Sequence, residues 1–255
     1  MCHVILIQTG AAQKLKINKT VQKDHWLDYA EEKYGASHVK DTKKALSVLL
    51  MYLPLPIFWA LHAQQGSRWV FQATKMNGDV GGWYTIKPDQ MIVLNSVLGI
   101  VLIPVFDYFI YPALAKIGLK TCLQKITMGG VCTALAFIAA AILEFQIEKG
   151  FISILWMLPQ YFLLCMGEIL LYTANLNFTY TEAPSSMKSV MLGFSYLSVA
   201  GGALIVVLIS GVAFFESQAY EFLFFAGIMT LDIFIFGFLA TRYKYSEPDK
   251  PKIVS

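Results

Sequence analysis

The chain has 255 residues, of which 56% are hydrophobic and only 15% are charged, and its formal net charge is +3. Its mean hydropathy is +0.56, whereas soluble domains are about 45–50% apolar and about 25% charged. The surface of a soluble domain cannot be covered with so few charges. The composition therefore excludes a soluble globular domain and predicts an integral membrane protein. The four cysteines form no CxxC pair, and no zinc, phosphate-loop or dinucleotide-binding pattern appears, so we expect no metal site and no enzyme activity.

An amphipathic segment precedes the first long apolar run. The stretch DHWLDYAEEKY (24–34) places Trp26, Tyr29 and Tyr34 on one face at helical spacing, with Asp24 in position to cap the helix. We expect this helix to lie against the cytoplasmic face of the membrane or against the bundle. A flexible basic tail is the alternative.

Six apolar segments are long enough to cross a membrane, because a helix needs roughly 20 mostly apolar residues to span about 30 Å of hydrocarbon. They are predicted at 45–64, 91–115, 122–143, 151–175, 189–215 and 220–241. The predicted organisation is a cytoplasmic linker (1–44), an all-α bundle of six transmembrane helices (45–241) and a cytoplasmic tail (242–255).

The basic residues are divided unequally between the two sides of these segments. An even number of spans puts both termini on one side, and sixteen of the twenty Lys and Arg residues fall on that side. Since Lys and Arg favour the cytoplasmic side of a membrane, we predict that both termini are cytoplasmic.

Glu168 is the one formal charge between residues 150 and 181. A carboxylate at the centre of a membrane helix costs about 2.5–3.5 kcal/mol, so such residues face a cavity or a partner. No Lys or Arg lies in the middle of any predicted span. The pattern therefore favours a carboxylate in a polar cavity that titrates or binds a cation, and a structural pair with a basic residue of another span is the alternative.

The first predicted span carries an aromatic pair followed by a polar cluster. Phe58 and Trp59 fit either an aromatic binding wall or an interfacial belt, and composition alone favours the belt. His62, Gln65 and Arg68 are expected at the outer mouth of the bundle, where a histidine is usually solvated. A proton relay through His62 is the other interpretation.

Polar residues in the other spans are less informative. Asn95 fits a cavity or a helix contact equally well, and Asp107, between two prolines, favours a structural or gating role near the inner end of its span. Asp232 has no predicted role. Four glycines of the fifth span are typical of close helix packing or bending: Gly193, Gly201, Gly202 and Gly211.

Three stretches resemble the C-terminal half of animal proton-coupled oligopeptide transporters. They are FWALHAQQGSRW, KPDQMIVLN and LPQYFLLCMGE with NFTYTEAPSSMKSV, and HWLDYAEEKY is similar to the cytoplasmic linker that precedes this half. The resemblance covers roughly residues 20–245. It implies the second of the two six-helix bundles of the major facilitator fold, whose substrate cavity lies between the bundles near the midplane.

By this resemblance Glu168 holds the amino terminus of a di- or tripeptide, and Asn95, Trp59 and Phe58 line the pocket, which replaces the interfacial-belt interpretation. The cluster of His62, Gln65 and Arg68 is then expected to serve outer gating or proton coupling. The proton is the coupling ion, and no cofactor or metal is expected.

The chain also departs from the pattern of its relatives. Where they have FDQQGSRW, this chain has His62 and Ala63, so an acidic residue tied to gating and coupling is missing. Ser195 stands in place of a pocket tryptophan, with Tyr196 next to it. The large extracellular domain of vertebrate members is replaced by the short segment 143–151, and the first bundle with its ExxER motif is absent from these residues.

Two functions follow from these observations. The first is proton-coupled symport of di- and tripeptides at the plasma membrane, in which this chain supplies one half and needs a first bundle or a full-length homologue as partner. The alternative is a non-transporting isoform that associates with a full-length peptide transporter and modulates it. Besides the peptide and the bilayer, no nucleic acid partner is expected.

Overall fold

The computed structural model describes residues 7, 25–150, 152–210 and 217–245. Within them, six helical segments are long and apolar enough to cross a membrane, which confirms the predicted number. The first to sixth spans are Ala36–Thr74, Pro88–Lys116, Cys122–Ile147, Ile154–Glu182, Lys188–Ile209 and Gln218–Arg242. The predicted end of the fifth span at residue 215, and Gly211, lie outside the described residues.

Several spans consist of shorter helices in succession. The α-helices are Glu31–Tyr34, Ala36–Tyr52, Leu55–Ala63, Arg68–Thr74, Met91–Val105, Tyr111–Lys116, Cys122–Ile147, Leu158–Glu182, Lys188–Ser210 and Gln218–Arg242. Turns of 3-10 helix lie at Trp26–Ala30, Gln64–Gly66, Pro88–Gln90 and Ile154–Met157. Between the first two spans, β1 (Asp79–Val80) and β2 (Tyr84–Thr85) pair antiparallel.

The first span runs ten residues further than predicted, to Thr74 instead of residue 64. The prediction ended there because a run of polar residues follows. The structure buries part of that run: Gln72 is fully buried and donates a hydrogen bond from Nε2 to the carbonyl of Ala140 at 2.9 Å. A polar side chain that is satisfied by a neighbouring helix does not end a membrane span.

The second span changes its helix type. Pro104 lies inside the helix Met91–Val105 and has no N–H to donate. A π-helical turn, Phe106–Ile110, follows directly and contains Asp107, whose side chain is exposed. Proline and π turns are two common causes of helix kinks, which fits the structural role predicted for this segment.

Glycines bring the third span against its two main neighbours. A Cβ added to Gly167 of the fourth span would lie 2.7 Å from the carbonyl oxygen of Gly129, and one on Gly130 would lie 2.8 Å from Ile233 of the sixth span. Real Cβ atoms do not approach so closely, so only glycine permits these helix crossings. The third span is accordingly the most buried of the six.

The fifth span packs closely on the first span at one of its glycines. A Cβ on Gly202 would lie 2.6 Å from the Cβ of Trp59, so the close packing predicted there is confirmed. Gly201 is in ordinary contact with Pro56, whereas Gly193 faces open space. The fifth span therefore holds the backbone around Trp59 in place.

The second and fifth spans are the least buried. Only 11% and 17% of their most apolar stretches are covered by the rest of the molecule, against 61% for the third span. Their exposed apolar side chains include Val97, Ile100, Leu204 and Leu208. These two spans present most of their surface to lipid or to a partner.

The amphipathic segment folds against the start of the first span. Its first turn, Trp26–Ala30, is 3-10 rather than α-helical, and His25 caps it, with Nδ1 accepting from the N–H of Leu27. Asp24, the predicted cap, lies outside the described residues. The ion pair with Lys43 holds the pKa of Asp28 below its usual range.

Both described ends of the chain meet on one side of the bundle. The hydroxyl of Tyr243 donates to Glu182 at the end of the fourth span, at 3.0 Å, and Ser186 contacts Asp41 near the start of the first span. Burial, with the nearby Glu182 carboxylate as a smaller cause, raises the pKa of Tyr243. We call this the terminal side of the bundle.

Candidate functional site

Three spans meet at the carboxylate of Glu168, in the middle of the fourth span. Its Oε2 atom lies 3.0 Å from Nε2 of His62 in the first span and accepts a hydrogen bond from Nδ2 of Asn95 in the second span at 2.9 Å. The Glu168 side chain keeps 31% of its surface exposed. The carboxylate is therefore held by two neighbours and still reachable.

The structure corrects the expectation that Glu168 has no partner within the chain, since His62 contacts it. The sequence search considered only Lys and Arg, whereas an imidazole also serves as a partner and carries a charge when protonated. The position predicted for His62, at the outer mouth, is wrong as well. Because the first span continues for twelve residues beyond it, which is about 18 Å of helix, His62 lies at the depth of Glu168.

Four polar atoms at this site have no hydrogen-bond partner in the described part of the chain. They are Oε1 of Glu168, since both contacts use Oε2, and the buried atoms Oε1 of Gln65, Oδ1 of Asn95 and Nε1 of Trp59. Leaving a buried polar group unsatisfied costs about 1–3 kcal/mol. They comprise three acceptors and one donor, of which Oε1 of Glu168 belongs to a partly exposed carboxylate and the other three atoms are buried in this conformation.

Aromatic rings surround the pair of Glu168 and His62. The Trp59 ring packs edge-on against His62 at 5.7 Å and against Tyr172 at 6.3 Å. Phe58 also stacks on His62, with a distance of 6.2 Å between the two ring centroids, but only 1% of Phe58 is exposed. Phe58 thus supports the imidazole from the core and does not line the accessible cavity, contrary to expectation.

Tyr172 was not identified from the sequence. Its hydroxyl lies 3.4 Å from that of Tyr196 in the fifth span, so the two tyrosines join the fourth and fifth spans at the edge of the site. A signal was available, because Tyr172 follows Glu168 by four residues and such residues share a helix face.

The predicted outer cluster divides into two parts. Nε2 of Gln65 lies 3.2 Å from Nε2 of His62, so Gln65 belongs to the cavity. Arg68 points elsewhere: its Nε lies 3.0 Å from a carboxylate oxygen of Glu221 in the sixth span, and its carbonyl accepts from Gln218. Arg68 therefore ties the first span to the sixth, on the side opposite the termini.

A layer of polar contacts lies between the site and the terminal side. Nδ2 of Asn175 donates to Oγ of Ser195 at 2.7 Å, and the hydroxyls of Tyr52 and Thr179 lie 2.6 Å apart. Ser195 is buried, whereas the neighbouring Tyr196 is exposed. Ser195 thus joins two helices, and Tyr196 is the member of the pair that reaches the accessible face.

The other acidic residues of the spans lie apart from this site. Asp232 is buried and lines a small void with Phe58 and Gly130, and Asp107 is exposed on the second span. No group of three or more potential metal ligands occurs among residues 7, 25–150, 152–210 and 217–245.

Comparison with known proteins assigns the six-helix bundle to a family. The sequence profile described as the POT family (PTR2) matches residues 1–247. The chain belongs to the POT family. It is an integral multi-pass membrane protein, and its fold is the C-terminal six-helix bundle of the major facilitator fold.

Relatives of this POT family chain include named peptide transporters. It is 49% identical over 132 residues to solute carrier family 15 member 2 of Danio rerio, which covers 51% of this chain and 18% of that protein. It is also 49% identical over 127 residues to peptide transporter family 1 of Drosophila melanogaster, covering 50% of this chain and 17% of the relative. The matched part is thus about a fifth of the relatives' length.

Solved structures of POT family proteins share the fold. The crystal structure of an auto-inhibited POT family peptide transporter superposes with a TM-score of 0.78 at 29% identity, over 88% of this chain and 46% of that chain. A second structure, of the POT family transporter PepTSo, gives 0.75 at 28% identity over 86% and 45%. This POT chain therefore corresponds to a little under half of those transporters.

Proposed function

We propose that this POT family chain supplies half of a proton-coupled symporter for di- and tripeptides and binds the amino terminus of the peptide at Glu168. The observation that supports this most directly is the free Oε1 atom of Glu168, beside a carboxylate oxygen that His62 and Asn95 already hold. A fixed carboxylate in a partly dehydrated cavity binds an ammonium group strongly.

The remaining free atoms match the backbone of a short peptide. Oδ1 of Asn95 and Nε1 of Trp59 are buried without a partner in the described part of the chain, and a peptide that displaces the groups covering them would give the first an N–H and the second a carbonyl. These contacts use only atoms that every peptide has, while the Trp59 ring offers an apolar surface beside them. Such a site selects for a free amino group rather than for particular side chains.

Transport also needs a second bundle across the cavity. The second and fifth spans leave most of their apolar stretches uncovered, and the structural relatives are about twice as long as this chain. In the proposed cycle the two bundles rock against each other and open the Glu168 site to alternate sides. Gln65 and Arg68 lie towards the side away from the termini, where an outer gate would close.

The proposal includes the setting of the protein. Both termini lie in the cytoplasm and the membrane is the plasma membrane, with residues 1–44 as the linker, 45–241 as the bundle and 242–255 as the tail. The proton is the coupling ion, no cofactor takes part, and the protein is not an enzyme.

The alternative function uses the same exposed surface. A lone bundle whose second and fifth spans are uncovered can associate with a full-length POT protein and modulate it without transporting anything itself. Co-purification with a full-length relative, in cells that show no uptake by this chain, would support that alternative.

Uptake of a labelled dipeptide tests the main proposal. Cells are given this chain alone, or this chain with the first bundle of a POT relative, and uptake is compared at acidic and neutral outside pH. We expect uptake above the vector level only with the added bundle, and faster at acidic pH. Replacing the carboxylate in a Glu168→Gln variant should weaken uptake of a dipeptide with a free amino group by about tenfold or more, because the charged contact is lost.

An N-acetylated dipeptide is the control for this experiment. It lacks the ammonium group, so the Glu168→Gln change should alter its uptake much less. Equal losses for both peptides would show that Glu168 does not hold the amino terminus. Uptake by the chain alone would contradict the need for a second bundle.

A further inference from the structure

We propose that His62 is an internal counter-cation for Glu168 that opposes the amino group of a bound peptide, so that the site binds free amino termini more weakly when His62 is protonated. This inference rests on the proposed peptide-binding function of Glu168. It assigns to His62 a specificity-determining role, in place of the proton relay or outer gate that the sequence suggested.

The contact geometry carries the proposal. Nε2 of His62 lies 3.0 Å from Oε2 of Glu168, close enough for a full hydrogen bond. The same oxygen accepts from Asn95. The carboxylate therefore already has two partners at Oε2, and only Oε1 is left for a ligand. A bound ammonium group and the imidazole of His62 would therefore share a single negative charge.

The imidazole is held in place by its neighbours. Its ring stacks on Phe58 with an interplanar angle of 24° and meets the Trp59 ring at 77°. Only 17% of its side chain is exposed. His62 cannot rotate away from Glu168 without breaking these ring contacts. The imidazole therefore stays beside the carboxylate when a peptide ammonium group approaches it.

The sign of the coupling follows from the charges. A protonated imidazole neutralises Glu168 and repels a second cation placed beside it. By linkage, a peptide ammonium disfavours protonation of His62 to the same extent. Symport requires the opposite, that proton and peptide favour each other's binding. The coupling proton of transport must then bind at another group, and a proton on His62 opposes the binding of free amino termini.

The ionisable groups around the pair belong to three spans. Cys165 and Tyr172 of the fourth span and Tyr196 of the fifth lie beside the site. Asp232 of the sixth span lies behind Phe58, and Glu221 of the same span pairs with Arg68 away from the site. Histidine is the one side chain whose unperturbed titration falls between about pH 5 and 8. Asp232 is the neighbour to control for, because it is a buried carboxylate beside Phe58.

Equilibrium binding without a proton gradient tests the proposal. The full chain, assembled in lipid nanodiscs with the first bundle of a POT relative, is titrated calorimetrically with Ala-Ala and with N-acetyl-Ala-Ala. The two pH values, about 5.5 and 7.5, lie within the range in which histidine side chains ordinarily titrate. We expect Ala-Ala to bind about fivefold or more weakly at the lower pH, the low end of the usual range of coupling between sites. N-acetyl-Ala-Ala should bind equally at both.

The variant His62→Phe keeps an aromatic ring on Phe58 and removes the charge. In this variant the pH effect on Ala-Ala should disappear. His38→Phe removes another imidazole of the same span, and Asp232→Asn removes the neighbouring carboxylate, so both should keep the wild-type response. A pH effect that persists in His62→Phe, or that disappears in Asp232→Asn, would overturn the assignment to His62.

A second readout separates failure of this inference from failure of the proposed function. Thermal unfolding without peptide is measured for the wild type, His62→Phe, Glu168→Gln and the double variant at both pH values. The coupling between the two positions should be larger at about pH 5.5, because an imidazolium binds a carboxylate more strongly than a neutral imidazole does.

The two readouts together decide each case. If neither peptide binds but the unfolding coupling grows at low pH, the peptide-binding proposal fails and the His62–Glu168 pair stands as a pH-dependent element. If the coupling is absent or equal at both pH values, or if Ala-Ala binds equally well at both, the inference is wrong.

Discussion

At Trp59 a buried indole nitrogen has no hydrogen-bond partner in the described part of the chain, although its ring packs between His62 and Tyr172. Trp69 has the same unsatisfied nitrogen, but it is fully buried in the core against Phe137 and Tyr161. The two residues therefore differ in their surroundings, since the nitrogen of Trp59 lies beside the Glu168 site and that of Trp69 lies in the core.

The substitution Trp59→Phe tests this difference at the residue scale. It removes the indole N–H and keeps an aromatic ring, so dipeptide binding should weaken by roughly 3- to 10-fold, the value of one hydrogen bond. Trp69→Phe is the matched control. It should lower the unfolding temperature, because it leaves a cavity in the core, and leave dipeptide affinity unchanged. Equal effects of both changes on affinity would argue against a direct contact by Trp59.

At the scale of elements, the site depends on how closely its helices approach. Gly167 precedes Glu168 in the chain and touches the backbone of Gly129 across the third and fourth spans. This contact sets the rotation of the fourth span and so the direction in which Glu168 points. Gly193 of the fifth span provides a contrast, since nothing lies within 4 Å of a Cβ added there.

The same substitution at both glycines should have opposite effects. Gly167→Ala forces the third and fourth spans apart and should destabilise the bundle by about 1–3 kcal/mol. Gly193→Ala meets no neighbour and should be neutral or stabilising by up to about 1 kcal/mol, through its better helix propensity. Thermal unfolding in detergent measures both. A stability loss at Gly193 that matches the loss at Gly167 would refute the close-contact explanation.

At the scale of the whole molecule, the question is what covers the second and fifth spans. Ile100 of the second span is 74% exposed and Ile142 of the third span is 57% exposed. The two spans differ in total burial, at 11% and 61%. We expect a first bundle to cover the second span and leave the outer face of the third span in contact with lipid.

Cysteine labelling measures this arrangement. Ile100→Cys and Ile142→Cys are exposed to a lipid-soluble maleimide, with and without a co-expressed first bundle from a POT relative. The parent chain controls for its own cysteines, of which Cys132 and Cys165 are buried. Labelling at position 100 should fall several-fold when the bundle is present, and labelling at 142 should not change. Equal labelling of both under all conditions would mean that no bundle docks on the second span.

Hydropathy predicted the six spans, because the thickness of the bilayer imposes one length on every crossing helix. It placed the end of the first span ten residues too early, since it treats every polar residue as exposed. Whether Gln72 is exposed or bonded to Ala140 is decided by a helix 68 residues away in the chain. Span ends are therefore less predictable than span number.

The membrane class and the number of spans follow from the amino-acid sequence alone, and so does the choice of Glu168 as a candidate, because a lone charge in lipid is costly wherever the chain puts it. The tertiary structure decided the partners of that charge. Contacts with His62 and Asn95 depend on the crossing and rotation of three helices. Glycine contacts hold two of them, the fourth span against the third at Gly167 and the first against the fifth at Gly202. Hydropathy does not predict such contacts, because it depends on the composition of one segment and not on the distances between segments.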